Sequence, residues 1–292
     1  CICVYQSSAR GTVKDKANFK VDEDVSALRK AIEGLGTTEK TLIDVLTQRS
    51  SAQRQLIAKA YEKATGRTLI DDLKGDTRGD FEDVLVALVT PPALYDCQEV
   101  IKAMKGAGTT ESTLTEIFAS RSNKQIRELS EAYLAIQQYY THTFSESMQA
   151  LYEAGEKKWG TDEGKFIDIL CHRSVPQLRQ TLIEYKNISK KTLQESIKSE
   201  MSGNLEKLLV AVVKCVQNVP AYLAERLFKS MKGAGTTECT LTRIFVSRSE
   251  IDLIDIKVEY KKLFGCSLYS QLESEVSGDY GKTLKCLCGQ DE

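Results

Sequence analysis

The sequence is poor in proline and carries no excess charge of either sign. Four prolines in 292 residues favour long helices over frequent turns. Lysine and arginine together number 40 against 41 aspartates and glutamates. A chain so balanced has no general attraction for nucleic acid or for anionic lipid. A negatively charged partner would therefore need positive charge from another source.

Long apolar runs and a signal peptide are also missing. The longest runs, VLVALV at 84–89 and LLVAVV at 208–213, are far shorter than the ~20 residues of a membrane span. The opening CICVYQSSARGTVK has no apolar core followed by small residues, so we expect no signal peptide. We therefore expect a cytoplasmic protein whose nine cysteines are buried and reduced.

The residues of common zinc sites and active sites are scarce. The chain has no CxxC pair and two histidines, His142 and His172, which argues against a zinc site. No Walker GK[ST] motif accompanies the GAGTT segments, and neither histidine has an obvious nucleophile partner. We expect a protein that is not an enzyme.

What the chain does contain is a repeat. MKGAGTTE occurs at 104–111 and again at 231–238, and AIEGLGTTE (31–39) and AGEKKWGTDE (154–163) resemble it. Each has a Gly-Thr pair, and twelve residues after its threonine stands an arginine followed by serine. This fixed offset defines four repeats, whose arginines are Arg49, Arg121, Arg173 and Arg248.

The pattern within a repeat is helical. In the first repeat, apolar residues at helical spacing place Leu42, Ile43, Val45 and Leu46 on one face, and Thr37 is the expected N-cap. Gly66 is expected to end the third helix, TLIDDLKG forms a short fourth, and FEDVLVALV forms a buried fifth. The sequence therefore predicts an all-α array of four five-helix repeats.

Each arginine is followed by a predicted helix start. Serine with glutamine three residues later predicts a capping box, with an aspartate as a looser version in the fourth repeat. We expect the arginines themselves to be structural and to bond carbonyl groups at helix C-termini. The predicted boxes are Ser50–Gln53, Ser122–Gln125, Ser174–Gln177 and Ser249–Asp252.

A carboxylate follows three of the four threonines at a fixed distance. Asp76, Glu200 and Glu275 each stand 39 residues after the Gly-Thr threonine, just before another glycine. Ca²⁺ takes six to eight oxygen ligands, and backbone carbonyls of a glycine-rich loop with one carboxylate supply about five. Water or a lipid phosphate oxygen can complete the shell. The alternative is an inherited glycine-rich loop with a threonine N-cap and no metal.

These segments together resemble the annexin family. The resemblance rests on the MKGAGT loops, the acids in DTRGD, EMSGN and EVSGD, the RSxxQ helix starts and the C-terminal VSRSEIDL and SGDY. It extends over essentially the whole chain from RGTVK at 10–14. It implies a curved α-helical disc that binds anionic phospholipid membranes with Ca²⁺ as cofactor, docks on them reversibly, and catalyses no reaction.

The resemblance also implies ligands for each repeat. Backbone carbonyls and one carboxylate would form each site, and Trp159 would contact the membrane, with a core tryptophan as the alternative. The implied sets are Ile32, Gly34, Gly36 and Asp76 in repeat one; Gly155, Lys158, Gly160 and Glu200 in repeat three; and Met231, Gly233, Gly235 and Glu275 in repeat four.

Repeat two departs from the pattern. Met148 stands where an acid is expected, Glu146 is out of register, and the spacing to repeat three is too short for a fourth and fifth helix. We expect its loop at 104–109 to bind Ca²⁺ poorly and its apolar residues Leu114, Ile117 and Phe118 to lose partners. The predicted organisation is an N-terminal segment 1–20 and repeats at 21–92, 93–144 (truncated), 145–219 and 220–292.

A second function remains open on these residues. A helical-repeat scaffold for other proteins, with calcium binding weakened or lost because repeat two is incomplete, fits the same helices. The acid set favours the calcium-dependent alternative. The resemblance leaves vesicle fusion, membrane repair and inhibition of phospholipase A2 open as the process served.

Overall fold

The fold is helical throughout the part of the chain that the structure describes. The computed structural model describes residues 10–33, 38–105, 110–137, 170, 175–232 and 235–290, and these contain fifteen helices and no strand. The all-α prediction is confirmed. The first repeat has the five predicted helices: α1 (Val21–Glu33), α2 (Glu39–Thr47), α3 (Ser51–Thr65), α4 (Leu69–Asp76) and α5 (Gly79–Val89).

The other repeats reuse this plan within the described ranges. The helices are α6 (Pro92–Met104), α7 (Glu111–Ser120), α8 (Asn123–Gln137), α9 (Val175–Ser189), α10 (Leu193–Glu200), α11 (Gly203–Met231), α12 (Glu238–Arg248), α13 (Leu253–Phe264), α14 (Leu268–Glu275) and α15 (Gly278–Cys288).

Helix α11 is the one described helix that is long and apolar enough to cross a membrane by length and composition. Its backbone leaves helical geometry at Asn218, with φ −160° and ψ 101°, two residues before Pro220. Proline disrupts a helix because it lacks an N–H and crowds the preceding turn. Leu209, Val213, Leu223 and Leu227 are buried. Helix α11 therefore consists of two consecutive helices that contribute to the protein core.

The chain divides into two compact units. Of the described residues, those in 10–95 and 223–290 form the terminal unit, and those in 96–222 form the middle unit. In the terminal unit, α15 packs against α2 and α5, and α5 also packs against α12, which joins the first and last repeats. In the middle unit, one core gathers around Ile197 and Leu209 and another around Cys97 and Ile117.

The predicted helix faces and ends are largely confirmed. Leu42, Ile43, Val45 and Leu46 are all buried, and Gly66 ends α3 in the left-handed region, with φ +72°. Both bonds of the Ser50–Gln53 box form, and so do those of Ser122–Gln125. Ser174 lies outside the described residues. The expected N-cap at Thr37 is wrong by one residue, because Thr38 occupies the N-cap position of α2.

The predicted Ser249–Asp252 box is wrong, and the arginine explains why. Helix α13 begins only at Leu253, and the Asp252 carboxylate accepts from Arg248 Nε at 2.7 Å. In repeats one and two the same arginine instead pairs with an aspartate 25 residues earlier: Arg49 with Asp24 and Arg121 with Asp96. Repeat four has Leu223 at the position of Asp24. Asp252 supplies the missing carboxylate, so it occupies the N-cap position of α13 without a side-chain cap bond and does not pair with Ser249.

The arginines are structural, as expected, but their main partners differ from the prediction. Arg49 holds Asp24 with two bonds, at 2.6 and 2.7 Å, and both side chains are buried. A planar guanidinium matches a carboxylate in this two-bond geometry. Arg49 also makes the predicted kind of bond, because it donates to the carbonyl of Gln48, the C-cap residue of α2, at 3.1 Å. The neighbouring Arg54 donates to the carbonyls of Leu46 and Leu88. Arg173 lies outside the described residues.

Two other expectations need correction. Cys97, Cys215 and Cys288 are buried, as predicted, but Cys239 and Cys286 are exposed. In repeat two, Phe118 is 45% exposed as expected, whereas Ile117 is fully buried. Ile117 packs in a core cluster with Cys97, Val100 and Leu129, and Leu114 packs against that cluster. Ile117 therefore keeps its apolar partners, and the prediction for that residue is wrong.

Candidate metal-binding loops

The three predicted acids occupy one structural position. Asp76, Glu200 and Glu275 are each the last residue of a helix of eight residues, namely α4, α10 and α14, and each is exposed. Three residues later a glycine in the left-handed region starts the next helix, at φ +63°, +75° and +65° for Gly79, Gly203 and Gly278. A residue without a side chain takes this conformation at little cost. The three acids, which stand at the same position of the sequence repeat, therefore also occupy the same position in the structure.

Each short helix is fixed at both ends. At the start, the hydroxyls of Thr68, Thr192 and Ser267 accept from a backbone N–H three residues later, at 3.0 to 3.2 Å. At the end, the residue after the acid donates its N–H four residues back, at 2.9 to 3.0 Å in all three cases. These caps satisfy groups that a helix end leaves unpaired. The carboxylates therefore project from rigid supports.

Their electrostatic setting favours a cation. The C-terminus of a helix carries a partial negative charge, so an acid in the last turn is unfavourable, typically by 0.3–1 kcal/mol. Three repeats place an acid at that end. A bound cation would offset both the carboxylate and the helix end. Structural stability alone does not account for this placement.

The glycine-rich loops of repeats one, two and four are closed by one repeated hydrogen bond. The N–H of Thr38 donates to the carbonyl of Ala31 at 3.0 Å, that of Thr110 to Ala103 at 2.8 Å and that of Thr237 to Ser230 at 2.7 Å. This bond brings the two ends of each glycine-rich segment together. Repeat two keeps this closure although it lacks the acid.

The structure describes part of each predicted ligand set. Ile32 and Met231 are buried at the ends of their helices, and Gly235 is exposed with φ +114°. Several predicted residues lie outside the described ranges, so the position of their carbonyls stays a prediction: Gly34, Gly36, Gly155, Lys158, Gly160 and Gly233. Trp159, Met148, Glu146 and His172 lie outside them as well.

The donor set fits Ca²⁺ by its chemistry. Carboxylate and carbonyl oxygens are the hard ligands that this ion prefers, and one carboxylate per loop leaves the rest of the shell to carbonyls and water. Within the described ranges, no three His, Cys, Asp or Glu side chains come close enough to share a metal. A site here would therefore depend on the backbone of the glycine-rich segments.

The acid of repeat one also lines a polar cleft. The turns before α5 and α15 border a space of about 350 Å³ within the terminal unit, and its lining includes Asp76, Asp80 and Asp279. Burial raises the pKa of Asp80, and the nearby charges of Glu238 and Asp83 raise it further. The cleft therefore concentrates negative charge beside one candidate metal loop.

Sequence reasoning missed the side chains that support these loops. In repeat one, Tyr61 donates to Asp72 at 2.7 Å, Asp72 pairs with Arg67 at 3.2 Å, and Arg67 reaches Glu33 beside the loop at 3.4 Å. Arg29 bonds the same Glu33 at 2.8 Å. This chain of charges ties the loop of repeat one to α3 and α4. Alignment of the repeats, position by position, could have revealed it.

Repeat four replaces those charges with aromatic rings. Phe228 and Phe264 stack at 3.9 Å, and Tyr260 meets Phe264 edge-on at 5.0 Å. Lys232, beside the loop, lies 4.8 Å from the centre of the Phe228 ring. Stacking and a cation over a ring face are each worth on the order of 1 kcal/mol. The two repeats thus support the same loop by different interactions.

The fold and these loops define a class: an all-α repeat protein that presents a carboxylate at the end of a short helix in three repeats. A family model described as Annexin matches residues 23–88, 95–145, 146–212 and 222–287. The chain therefore belongs to the annexin family, as the sequence motifs predicted. Annexins are known as calcium-dependent phospholipid-binding proteins and are generally not enzymes.

Similarity to individual annexins extends over nearly the whole chain. Annexin A3 of Mus musculus is 50% identical over 315 residues, covering 97% of this chain and 98% of that protein. Annexin A4 of Homo sapiens is 47% identical over 317 residues, covering 97% and 98%. The segments RSSAQRQLIAKAYEKATGRTLIDDLKGD and LVTPPALYD predict a likeness to annexin III, and the similarity to annexin A3 confirms it.

Solved structures of annexins are also similar to this chain. The structure of annexin III matches with a TM-score of 0.89 at 48% identity, covering 98% of this chain and 99% of that chain. Calcium-bound annexin (Sm)1 matches with a TM-score of 0.83 at 30% identity, covering 97% and 93%. The predicted annexin fold is confirmed.

Proposed function

We propose that this protein binds anionic phospholipid membranes through Ca²⁺ bridges. The observation that carries the proposal is the common position of Asp76, Glu200 and Glu275, each at the end of a capped eight-residue helix in an annexin. The proposed ligands are these carboxylates and the carbonyls of the loops. Those carbonyls belong to Ile32, Gly34 and Gly36; Gly155, Lys158 and Gly160; and Met231, Gly233 and Gly235.

Charge explains why the metal is needed. The chain has a net charge of −1 and so has no general attraction for an anionic surface. Ca²⁺ held by one carboxylate and a few carbonyls keeps positive charge and open coordination positions. Lipid phosphate oxygens fill those positions. We propose a cytoplasmic protein that docks reversibly at the membrane surface when calcium rises.

Several weak sites would act together. Once one loop is bound, the others meet lipid at a high effective concentration, so overall binding exceeds that of any single loop. Trp159, the one tryptophan in the chain, would add an apolar contact at the lipid interface. Repeat two would contribute little, because Met148 stands where the other repeats have an acid.

The second candidate is a helical scaffold that binds other proteins. The missing acid of repeat two favours it, together with the apolar surface of that repeat, where Phe118 is 45% exposed. On this alternative, calcium would not change the association of the protein with lipid.

Co-sedimentation with phosphatidylserine vesicles tests the proposal. Wild type is expected to pellet with Ca²⁺ and to stay in solution with chelator. Replacing Asp76, Glu200 and Glu275 by alanine removes the anionic ligand of each loop and should abolish pelleting. A charge-matched control replaces three other exposed acids, Glu62, Glu184 and Glu273. Pelleting that is equal in both triple variants would refute the proposal, and a folded wild type that never pellets would favour the scaffold.

A further inference from the structure

Repeats one and four each bury a tyrosine at the same position, but only one tyrosine has a partner. Tyr61 and Tyr260 are both fully buried. The Tyr61 hydroxyl donates to Asp72 at 2.7 Å, whereas the Tyr260 hydroxyl makes no hydrogen bond. An unpaired buried polar group is costly. In repeat four, the residue at the position of Asp72 therefore makes a different hydrogen bond.

That residue is Gln271, the counterpart of Asp72. Its amide nitrogen Nε2 donates to Oε1 of Glu275 at 2.9 Å, one turn further along α14. Its amide oxygen accepts from the thiol of Cys266 at 3.5 Å. The amide is thus held at both ends, with its donor directed at the carboxylate. Burial raises the pKa of the Tyr260 phenol, and the nearby Cys266 and Glu275 raise it further.

We propose that Gln271 is a positioning residue for the calcium ligand of repeat four. The inference rests on the proposed function and assigns Gln271 a role in one site only. An amide donor fixes one carboxylate oxygen and leaves the charge of Glu275 in place. Hydrogen bonds of this kind orient metal ligands, and losing one typically lowers metal affinity 10–100-fold. The carboxylate of Glu275 is thus oriented before the metal binds.

The other two acid-bearing repeats have no glutamine at this position. Asp72, four residues before Asp76, is an acceptor only when ionised and is bonded to Tyr61 and Arg67. Ser196, four residues before Glu200, has a short side chain and is buried. Glutamine at this position therefore distinguishes repeat four, and the unpaired Tyr260 hydroxyl is the local cost of its orientation.

The test isolates the site of repeat four. Asp76→Ala and Glu200→Ala remove the acids of the other two loops, and Ca²⁺ is titrated against protein labelled with ¹³C at the methionine methyl groups. The chain has four methionines, so the Met231 signal can be assigned by substitution, and the fifth signal that Gln271→Met adds is identified by its absence from the background protein. In this background, Gln271→Met, which keeps length and helix preference but removes the amide, should weaken Ca²⁺ binding at least 10-fold.

A matched control separates positioning from stability. Asp72→Ala in the same background removes two partners in repeat one and should lower the melting temperature without changing the Met231 titration. If Gln271→Met and the background protein bind Ca²⁺ equally while wild type still pellets with vesicles, the inference fails and the proposed function stands. If Asp72→Ala weakens the titration as much as Gln271→Met does, Gln271 acts only through stability. Absence of Ca²⁺ binding by wild type would overturn both proposals.

Discussion

Residues at equivalent positions of the repeats have different partners, depending on which other residues their own repeat contains. Arg49 and Arg248 stand at the same repeat position, yet one pairs with Asp24 in a distant helix and the other with Asp252 one turn ahead. The difference follows from Leu223, which replaces the aspartate in repeat four. A buried arginine must find a carboxylate or a carbonyl, because leaving its charge unpaired is costly. A change at one position is therefore compensated at another.

The two buried tyrosines provide a matched test of this logic. Tyr61→Phe removes a hydrogen bond to a charged carboxylate and should lower the free energy of unfolding by about 1–2 kcal/mol. Tyr260→Phe removes an unpaired hydroxyl and should leave the free energy of unfolding unchanged or slightly higher. Denaturant unfolding of both variants without calcium measures the difference. Equal losses would show that Tyr260 has a partner in solution.

At the scale of elements, the short helices α4, α10 and α14 carry the candidate sites. Each has a hydroxyl cap at its start and an acid at its end, the end where an acid is least favourable. Natural proteins accept such local costs at functional positions. The helices also pack onto their neighbours, as α4 does on α5 and α14 on α15. The same short helices thus carry the candidate calcium ligands and pack onto their neighbours.

The junction of α5 with α12 should respond to pH. Burial and the charges of Glu238 and Asp83 raise the pKa of Asp80 above its usual 3.8, so folding favours its protonated form. Stability is therefore lost as pH rises through the raised pKa. Asp80→Asn should stabilise the protein slightly at pH 7, because solvent screens the charges around this exposed side chain. The gain should vanish below pH 3.8, where Asp80 is protonated in the unfolded chain as well.

Thermal melts across this pH range measure the effect, and repeat four offers a control. Asp279 is the counterpart of Asp80, but it pairs with Lys282 at 2.8 Å. Asp279→Asn should therefore give no gain at pH 7. A gain of equal size from both substitutions, or one from Asp80→Asn that persists at low pH, would contradict this account.

At the scale of the whole molecule, contacts between distant parts of the sequence close the terminal unit. Residues near the N-terminus lie along the last repeat: Arg10 and Val13 donate backbone N–H groups to Ile251 and Ser249 at 3.1 and 3.0 Å. Thr12 donates to the carbonyl of Leu287 at 2.6 Å. Glu250 extends the link by accepting from Arg54 of the first repeat at 3.1 Å. The first and last repeats are thus held together by polar contacts as well as by packed helices.

Gly11 tests the importance of this N-terminal segment. A Cβ atom at this position would lie 2.3 Å from the carbonyl carbon of Glu250, so Gly11→Ala must displace the segment. We expect a loss of about 1–3 kcal/mol in the free energy of unfolding, as for other overpacked sites. Lys14→Ala, at an exposed position in the same segment, is the control and should be neutral. Similar unfolding curves for wild type and Gly11→Ala would show that the segment adds no stability.

Much of this architecture could be predicted because it depends on local patterns. Helical spacing of apolar residues located α1 to α5, and Gly66 marked a helix end because glycine accepts a left-handed conformation. The fixed offset of Asp76, Glu200 and Glu275 predicted a shared position, and all three acids end equivalent helices. The patterns could be recognised because each repeat has the same spacing between its characteristic residues.

The sequence by itself determined the helices, the four repeats and the register of the three acids, because short-range geometry and repetition control them. Only the tertiary structure decided which partners the polar side chains choose. It paired Arg248 with Asp252, left the Tyr260 hydroxyl unpaired and directed Gln271 to Glu275. Such choices depend on which donors and acceptors meet after packing, and residues far apart in the chain compete for them. The spacing of residues along the sequence therefore does not predict which of these hydrogen bonds form.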